Sequence, residues 1–552
     1  MMNGTESELN DITVNSSHNM KVGLFFSRDN GIISETVDVD TLADAYSNLA
    51  VSKVYDSFFS YDDQLAILRE VEENALEGVV LAGNSPKFYT SVFNGDFIIR
   101  ELTKLGINEN KIAFANIREQ VAFPHRGENE IATEKARLFI EIALSRLEVC
   151  HDIESVAISP FRSVLIVGTN AGGLIAAKLL LDKKYKVYIL EKWHSFQDLE
   201  GIEEDLTPTI TAIQSDKNAK IFFETDIEDF FGWCGDFKIT LSNLEEKVQI
   251  TVGGVIVCVD DDFDKIEELR ETMQIDTDMT GSLRGVRKKS YLGRTRDPGV
   301  WFLPYRKEVE DRYADEANSA GLAILAITTI LDKGEIQHPV LISEVDESIC
   351  GGCGTCVKTC AFSASSVDSI RKVAVIDSKR CKGCGNCVVA CPTGARDLIT
   401  FPEEYVFNAI DILSERIPKS TGPNILIILC NSCGYPAADL AGDLSLQKPE
   451  LKYSANAMPV LVECGGNVDT QYVLYAFQKG FDGVAITICR NGHCHHIVGN
   501  TDMERRIGLF RAVLRSRNIN DDRLRIIHVS PDEGQLFSEE INSFTEELKR
   551  CK

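Results

Sequence analysis

The chain has no apolar run of the eighteen or so residues that a membrane-spanning helix needs. The longest candidate, Gly321 to Leu331, is too short and holds two threonines. Positive charge is scarce as well: 58 basic residues against 84 acidic ones leave a net charge of −26. That balance repels nucleic acid and anionic membranes, and it favours solubility or a basic partner face. The polar stretch from Met1 to Asn19 shows no charged-then-apolar signal pattern, so the expected location is cytoplasmic. Also missing are cysteines dispersed over a small core, the mark of a disulfide-stapled secreted protein. With 552 residues, 44% of them hydrophobic, the chain has core enough for three or four domains without disulfides.

The cysteines present are clustered. Of 17, eight lie between Cys350 and Cys391 and five between Cys430 and Cys494. Cys150, Cys234, Cys258 and Cys551 stand alone and read as ordinary buried or terminal thiols.

Hydrophobic periodicity predicts an α/β multidomain fold: Rossmann-like parallel-sheet domains plus an inserted two-cluster bacterial-type ferredoxin domain. After a polar tail over 1–19, residues 20–155 alternate strands (Lys21 to Ser27, Ser52 to Phe59, Gly78 to Ala82, Lys111 to Ala115) with helices (Asp40 to Leu49, Asp62 to Leu76, Phe93 to Leu105, Asn129 to Leu147). A second unit, 160–335, opens with the buried-strand run at Ser163, a glycine-bearing turn, the helix Leu174 to Leu181 and a strand ending at Glu191. Strand-like stretches follow at Ala219 to Phe223, Phe237 to Leu241 and Val255 to Val259, then a helix at Asp315 to Leu331, while Gly281 to Pro298 reads as a loop. The ferredoxin region is expected over 341–400 and a third α/β domain over 420–552.

The strongest signal is the spacing Cys350-x-x-Cys353-x-x-Cys356-x-x-x-Cys360, repeated as Cys381-x-x-Cys384-x-x-Cys387-x-x-x-Cys391-Pro392. A four-iron cube needs four converging thiolates; a tight loop with two-residue gaps offers three, and the fourth cysteine of each run reaches over to the other cube. Cys350, Cys353, Cys356 and Cys391 are thus expected to hold one 4Fe-4S cluster, and Cys381, Cys384, Cys387 and Cys360 the other. A zinc site would use two pairs of cysteines rather than two matched quartets.

The second constellation is Cys430-x-x-Cys433, Cys464, and Cys489 with Cys494 inside ICRNGHCHH. Cys430, Cys464 and Cys489 sit at or just beyond the C-terminal ends of predicted strands, the edge where α/β sheets gather their sites. Four of these five could hold a two-iron (2Fe-2S) cluster or a zinc ion, and His493, His495 and His496 leave the choice open.

Gly168-Thr-Asn170-Ala-Gly172-Gly173 stands where a dinucleotide fingerprint would, with Glu191 where an acidic residue takes the ribose hydroxyls. Gly168, Asn170, Gly173 and Glu191 are the candidate FAD-binding residues. Asn170 replaces the glycine that lets backbone approach the pyrophosphate. Val255 to Asp262 lacks the small-residue turn that commonly closes a flavin site, so a scaffold that has lost its cofactor is the competing reading.

These motifs resemble two families. ANIREQ at Ala115 to Gln120, followed by His125, ATEKA at Ala132 to Ala136, the Gly168 turn and KGEI before EVDESICGGCG are similar to the A-type subunit of heterodisulfide reductase. CNSCGYPAADLAG at Cys430 to Gly442, CGGNVD at Cys464 to Asp469, GFDGV at Gly480 to Val484 and GHCHHIVGN at Gly492 to Asn500 are similar to the delta, iron–sulfur subunit of methyl-viologen-reducing hydrogenase. A fusion of the two implies electron relay in a large assembly. Its C-terminal part would receive electrons through a two-iron cluster from a hydrogenase, formate dehydrogenase or similar donor, and its partners would be other subunits of a heterodisulfide reductase-like complex. Related fusions serve quinone-interacting oxidoreductases.

The sequence departs from the heterodisulfide reductase pattern where Ser27 to Asn30, Asn84 and Val121 replace cluster cysteines, and joint loss implies that the N-terminal cluster site is gone while its fold remains. WHSFQDLEG after Glu191 and WFLPYRKEVED at Trp301 to Asp311 lack the glycines expected around a flavin. The sequence therefore reads as an electron-transfer subunit without its own substrate. An FAD-containing electron-bifurcating or quinone-interacting subunit is the alternative.

Overall fold

The structure is a computed structural model. It describes residues 20–91, 96–192, 194–196, 205–244, 246–258, 269, 272–273, 299–303, 311–339, 343–416 and 422–550. The polar tail, the Gly281 to Pro298 loop, most of WHSFQDLEG, the middle of WFLPYRKEVED and Cys551 lie outside the described residues.

The N-terminal domain is a four-stranded parallel sheet in the order Val51–Tyr55, Val22–Ser27, Gly78–Gly83, Ile112–Asn116. Its inner strands are buried on both faces, which is why they read as unbroken apolar runs. Val39–Ala45 and Asn129–Val149 cover one face, and Tyr61–Asn74 and Phe97–Lys104 the other. The helix expected from Phe93 begins at Phe97, after a separate turn of helix at Pro86–Ser91.

The middle domain holds a five-stranded parallel sheet in the order Val300–Phe302, Gly254–Val257, Ser163–Val167, Lys186–Glu191, Ala219–Phe223. Ala171–Asp182 and Arg312–Leu331 cover one face. The stretch at Phe237 belongs to a different sheet: Asp236–Ser242 is the centre of an antiparallel ribbon with Asp226–Trp233 and Lys247–Val252. Its alternating inward residues, Phe237, Ile239 and Leu241, pack against the other face of the parallel sheet.

Two hairpin-like halves form the ferredoxin domain, with Ser343–Val345 paired to Arg396–Leu398 and Ser365–Val367 to Ala374–Ile376. The next element, helix Glu403–Arg416, falls between the expected domains. Val406, Ala409, Ile410 and Leu413 make its buried stripe, an i, i+3, i+4, i+7 pattern visible in the sequence.

The C-terminal domain is a parallel sheet in the order Ala457–Val462, Ile425–Cys430, Gly483–Cys489, Leu524–Val529. Its helix Gly434–Ser445 also closes the C-terminal edge of the N-terminal sheet. Ser85 Oγ donates to Asp439 Oδ2 at 2.6 Å, and the side-chain amides of Asn116 and Gln120 each reach Asp439 Oδ1 at 2.8 Å. Gly442 lies so near Glu119 that a Cβ would stand 1.8 Å from its carbonyl oxygen. Among the described residues no helix is long and apolar enough to cross a membrane.

Candidate metal centres

Each ferredoxin half begins with a cysteine loop that runs into a short helix, Thr355–Lys358 in the first and Asn386–Val389 in the second. The loops turn through left-handed glycines. At Gly352 (φ +62°) a Cβ would stand 2.1 Å from the Lys372 carbonyl, and at Gly385 (φ +80°) it would run into Asn467, so both positions need glycine. One cavity is lined by Cys350, Cys353, Cys356 and Cys391, and a second by Cys360, Cys381, Cys384 and Cys387. The fourth cysteine of each run thus sits with the first three of the other, because the chain leaves each short helix towards the opposite half.

Polar hydrogens point at the sulfurs. Ala374 N donates to Cys350 Sγ and Ala364 N to Cys360 Sγ, each at 3.3 Å, and Arg396 Nη2 reaches Cys387 Sγ at 3.1 Å. The Thr355 hydroxyl holds Cys353 below the ordinary thiol range. Burial pushes Cys391 up, but hydrogen bonds from Thr393 outweigh it and leave it lowered. Burial raises Cys356, Cys381 and Cys384. Desolvated thiols gathered four at a time are costly alone and become thiolate ligands once a metal is present, so both cavities fit four-iron clusters.

In the C-terminal domain the five clustered cysteines are buried and brought together. Cys430 and Cys489 end adjacent strands with their sulfurs 3.9 Å apart, and Cys464 and Cys494 are likewise 3.9 Å apart. The ligating atoms of Cys433, Cys489 and His495 lie within 4.8 Å of one another. Two helix N-termini face the group. Gly434 N donates to Cys430 Sγ at 3.3 Å, and at Gly499 a Cβ would collide with Cys464 Sγ at 2.3 Å. Positive helix ends favour thiolate. Cys430 is lowered by its hydrogen bond from Cys433 and Cys494 by that from Cys464, while Cys464 and Cys489 are raised as donors to their neighbours. Of the three histidines, His495 approaches Cys489 Sγ at 3.9 Å, His496 bonds the Lys382 carbonyl at 3.1 Å, and His493 Nδ1 has no hydrogen-bond partner among the described residues.

The middle domain does not bring its four candidates into a dinucleotide cradle. A pyrophosphate would take the backbone N–H groups at the start of Ala171–Asp182. Here Gly173 N donates to Asn170 Oδ1 and Gly172 N to Glu316 Oε2, both at 2.8 Å. Glu316 comes from helix Arg312–Leu331 and is 2% exposed. Glu191 is buried and accepts from the Thr169 hydroxyl, and the Cys258 sulfur closes on Gly173. A phosphate beside the Glu316 carboxylate would set like charges together in a dry site, and the described residues do not fit FAD.

Ser27 and Asn84 are buried at the strand ends of the N-terminal sheet, and Val121 packs into its core. Arg118 pairs there with Asp29 at 2.6 Å and Glu119 at 2.7 Å. Several residues escape a reading of the sequence: Asp439 in the domain seam, Glu316 at the helix start, and Arg396 and Arg506 beside the cysteines. CNSCGYPAADLAG contains the first, but its partners lie over three hundred positions away.

The methyl-viologen-reducing hydrogenase delta subunit family matches residues 425–551, and the 4Fe-4S dicluster domain matches residues 349–395. The A-type subunit of the ferredoxin:CoB-CoM heterodisulfide reductase of Methanosarcina mazei is 35% identical over 223 residues, 40% of this chain and 27% of that protein. The chain thus spans about a quarter of the length of that relative. The D-type iron-sulfur subunit of the F420-non-reducing hydrogenase of Archaeoglobus profundus is 34% identical over 128 residues, 23% of this chain and 90% of that protein. Among solved structures, THI4 of Thermovibrio ammonificans aligns at 14% identity with a TM-score of 0.23, over 31% of this chain and 91% of that one, a likeness too slight to carry a conclusion. Through residues 425–551 the chain belongs to the methyl-viologen-reducing hydrogenase delta subunit family, fused to a 4Fe-4S dicluster ferredoxin domain and a part homologous to the A-type subunit of heterodisulfide reductase.

Proposed function

We propose that the chain is an iron–sulfur electron-transfer subunit of a heterodisulfide reductase-like complex, relaying electrons between a partner docked at its C-terminal domain and another subunit. The donor would be a hydrogenase, a formate dehydrogenase or a similar dehydrogenase. Cys350, Cys353, Cys356 and Cys391 would hold one four-iron cluster, Cys381, Cys384, Cys387 and Cys360 the other, and four of Cys430, Cys433, Cys464, Cys489 and Cys494 a two-iron cluster. Such clusters, when bound, store and pass single electrons.

One observation carries this reading: the Cys381 to Cys387 loop lies directly on the turn that follows Cys464. A Cβ on Gly466 would stand 2.7 Å from the Cys384 carbonyl, and Cys384 is near enough to Cys464 to help raise its thiol. Two redox sites built from separate domains are thereby in contact, with water excluded by Asn386, Asn467 and Gly466, all buried. The chain contributes orientation, N–H donors and dry walls. The Gly172 N–H that already donates to Glu316 supports relay over flavin-based bifurcation.

The double variant Cys464→Ala/Cys494→Ala tests the reading. Both ferredoxin clusters should stay reducible by a small chemical reductant and lose reduction by the physiological donor. Undiminished donor-driven reduction would place entry elsewhere.

A further inference from the structure

Two guanidinium groups, Arg396 buried and Arg506 half-buried, stand in the two gaps of the cysteine array. Arg396, 3% exposed, lines both ferredoxin cavities. Its Nε reaches Ser343 Oγ at 3.2 Å, its Nη2 reaches Cys387 Sγ at 3.1 Å and Ser365 Oγ at 3.4 Å, and its Nη1 is buried with no hydrogen-bond partner among the described residues. Its charge also bears on Cys356 in the opposite half.

Arg506, on helix Gly499–Ser516, fills the other gap. Its Nη1 donates to Asn386 Oδ1 at 3.3 Å, and its Nη2 to the carbonyls of Gly465, Gly466 and Val468 at 3.2, 3.0 and 3.3 Å. One side chain thus ties the loop of Cys384 to the turn after Cys464. Its Nε, like Arg396 Nη1, is buried without a hydrogen-bond partner among the described residues. These hydrogen bonds run to neutral acceptors, while the carboxylates of Asp502 and Asp469 act on its charge. A guanidinium stays charged even when buried, and an N–H with no protein acceptor costs free energy unless a ligand accepts it.

We propose that Arg396 and Arg506 are positioning residues that make the site of Cys360, Cys381, Cys384 and Cys387 the higher-potential cubane and the electron-holding midpoint of the relay. This rests on the relay reading above. Reduction adds one negative charge to a cluster without making or breaking a bond, so a nearby cation and an added N–H donor favour the reduced form. The Cys387 sulfur receives Arg396 directly, and the Cys384 side receives Arg506 as well. Among the described residues the other cubane has no guanidinium counterpart to the second: exposed Cys353 meets the Thr355 hydroxyl, and the cation that acts on it, Lys358, is an exposed side chain screened by solvent. An electron arriving at Cys464 therefore moves towards positive charge and waits at the inner cubane until a partner draws it through the outer one.

Potentiometric titration of the full chain, followed by electron paramagnetic resonance, tests this. The cubane at Cys353 is assigned by its altered signal in Cys353→Ser. In the unaltered protein the other cubane should become reduced first. Arg506→Gln should lower its reduction equilibrium constant by about tenfold, or about 59 mV for one electron, and leave the Cys353 cubane unmoved. Arg506→Lys should restore most of that shift. If the unaltered protein reduces the Cys353 cubane first, the proposal is overturned whatever becomes of the variants. Potentials unmoved in Arg506→Gln with all clusters present would overturn it and spare the relay reading, whereas clusters absent from the unaltered protein would overturn both.

Discussion

Cys430 and Cys489 lie 59 positions apart in the chain and place their sulfurs 3.9 Å from each other at the C-terminal ends of adjacent parallel strands. Parallel strands bring together residues that end each strand, and the turns after them deliver Cys433, Cys464 and Cys494 to the same spot. If four of the five hold a two-iron cluster, anaerobically purified protein will contain about ten irons per chain, from two cubes and one two-iron site. Iron and acid-labile sulfide analysis measures this, and about eight irons would remove the two-iron site.

Cys391→Ser is expected to damage the cluster at the Cys350 loop and leave the one at the Cys381 loop intact. Cys391 lines the cavity of the first loop, not of its own run. Electron paramagnetic resonance of the reduced variant reads which signal is lost, and a loss confined to the Cys381 site would contradict crossed ligation.

Flavin should be absent. Acid-released supernatant of the purified chain is expected to show no flavin fluorescence, because Glu316 already occupies the backbone N–H at Gly172. Titration with FAD should leave its fluorescence unquenched. Stoichiometric flavin in the supernatant would refute the assignment of Glu316.

Stability should fall as pH rises towards 8. Burial and the neighbouring Glu119 push the Asp439 carboxyl up from 3.8 to about 8. An acid with a raised folded pKa binds more protons folded than unfolded, so its contribution is fully present below the unfolded value and is lost as pH rises through the folded one. Asp439→Asn preserves acceptance from Asn116 and Gln120 and can donate to Ser85. It should flatten the decline, measured by urea denaturation at about pH 5 and about pH 8, whereas Asp439→Ala should destabilise at both.

Gly442→Ala forces a methyl group into the Glu119 carbonyl and should cost about 1–3 kcal/mol, the usual penalty of overpacking. Chemical denaturation should show the loss.

Much of the fold is legible because local rules dominate it. Buried parallel strands such as Val22–Ser27 and Ile425–Cys430 are unbroken apolar runs, and the helices between them carry stripes of period 3.6. The helix Glu403–Arg416 has such a stripe and lacks only a place in the expected scheme, since it lies between two domains. The ribbon around Asp236–Ser242 is harder, since alternation reveals a half-buried strand but not the sheet it joins.

Cysteine spacing in the sequence determined by itself that iron–sulfur chemistry belongs to residues 350–391, and it pointed to the metal centre proposed at 430–494, because loops that present thiolates to one centre permit few gaps. Only the tertiary structure decided what stands between and around those sites. Ser85 meets Asp439 across 354 positions, Glu316 reaches Gly172 across 144, and Arg506 reaches Asn386 across 120. A single polar residue carries no mark of its partner in the chain, since its hydrogen bond is set by how sheets and helices dock and not by any local propensity.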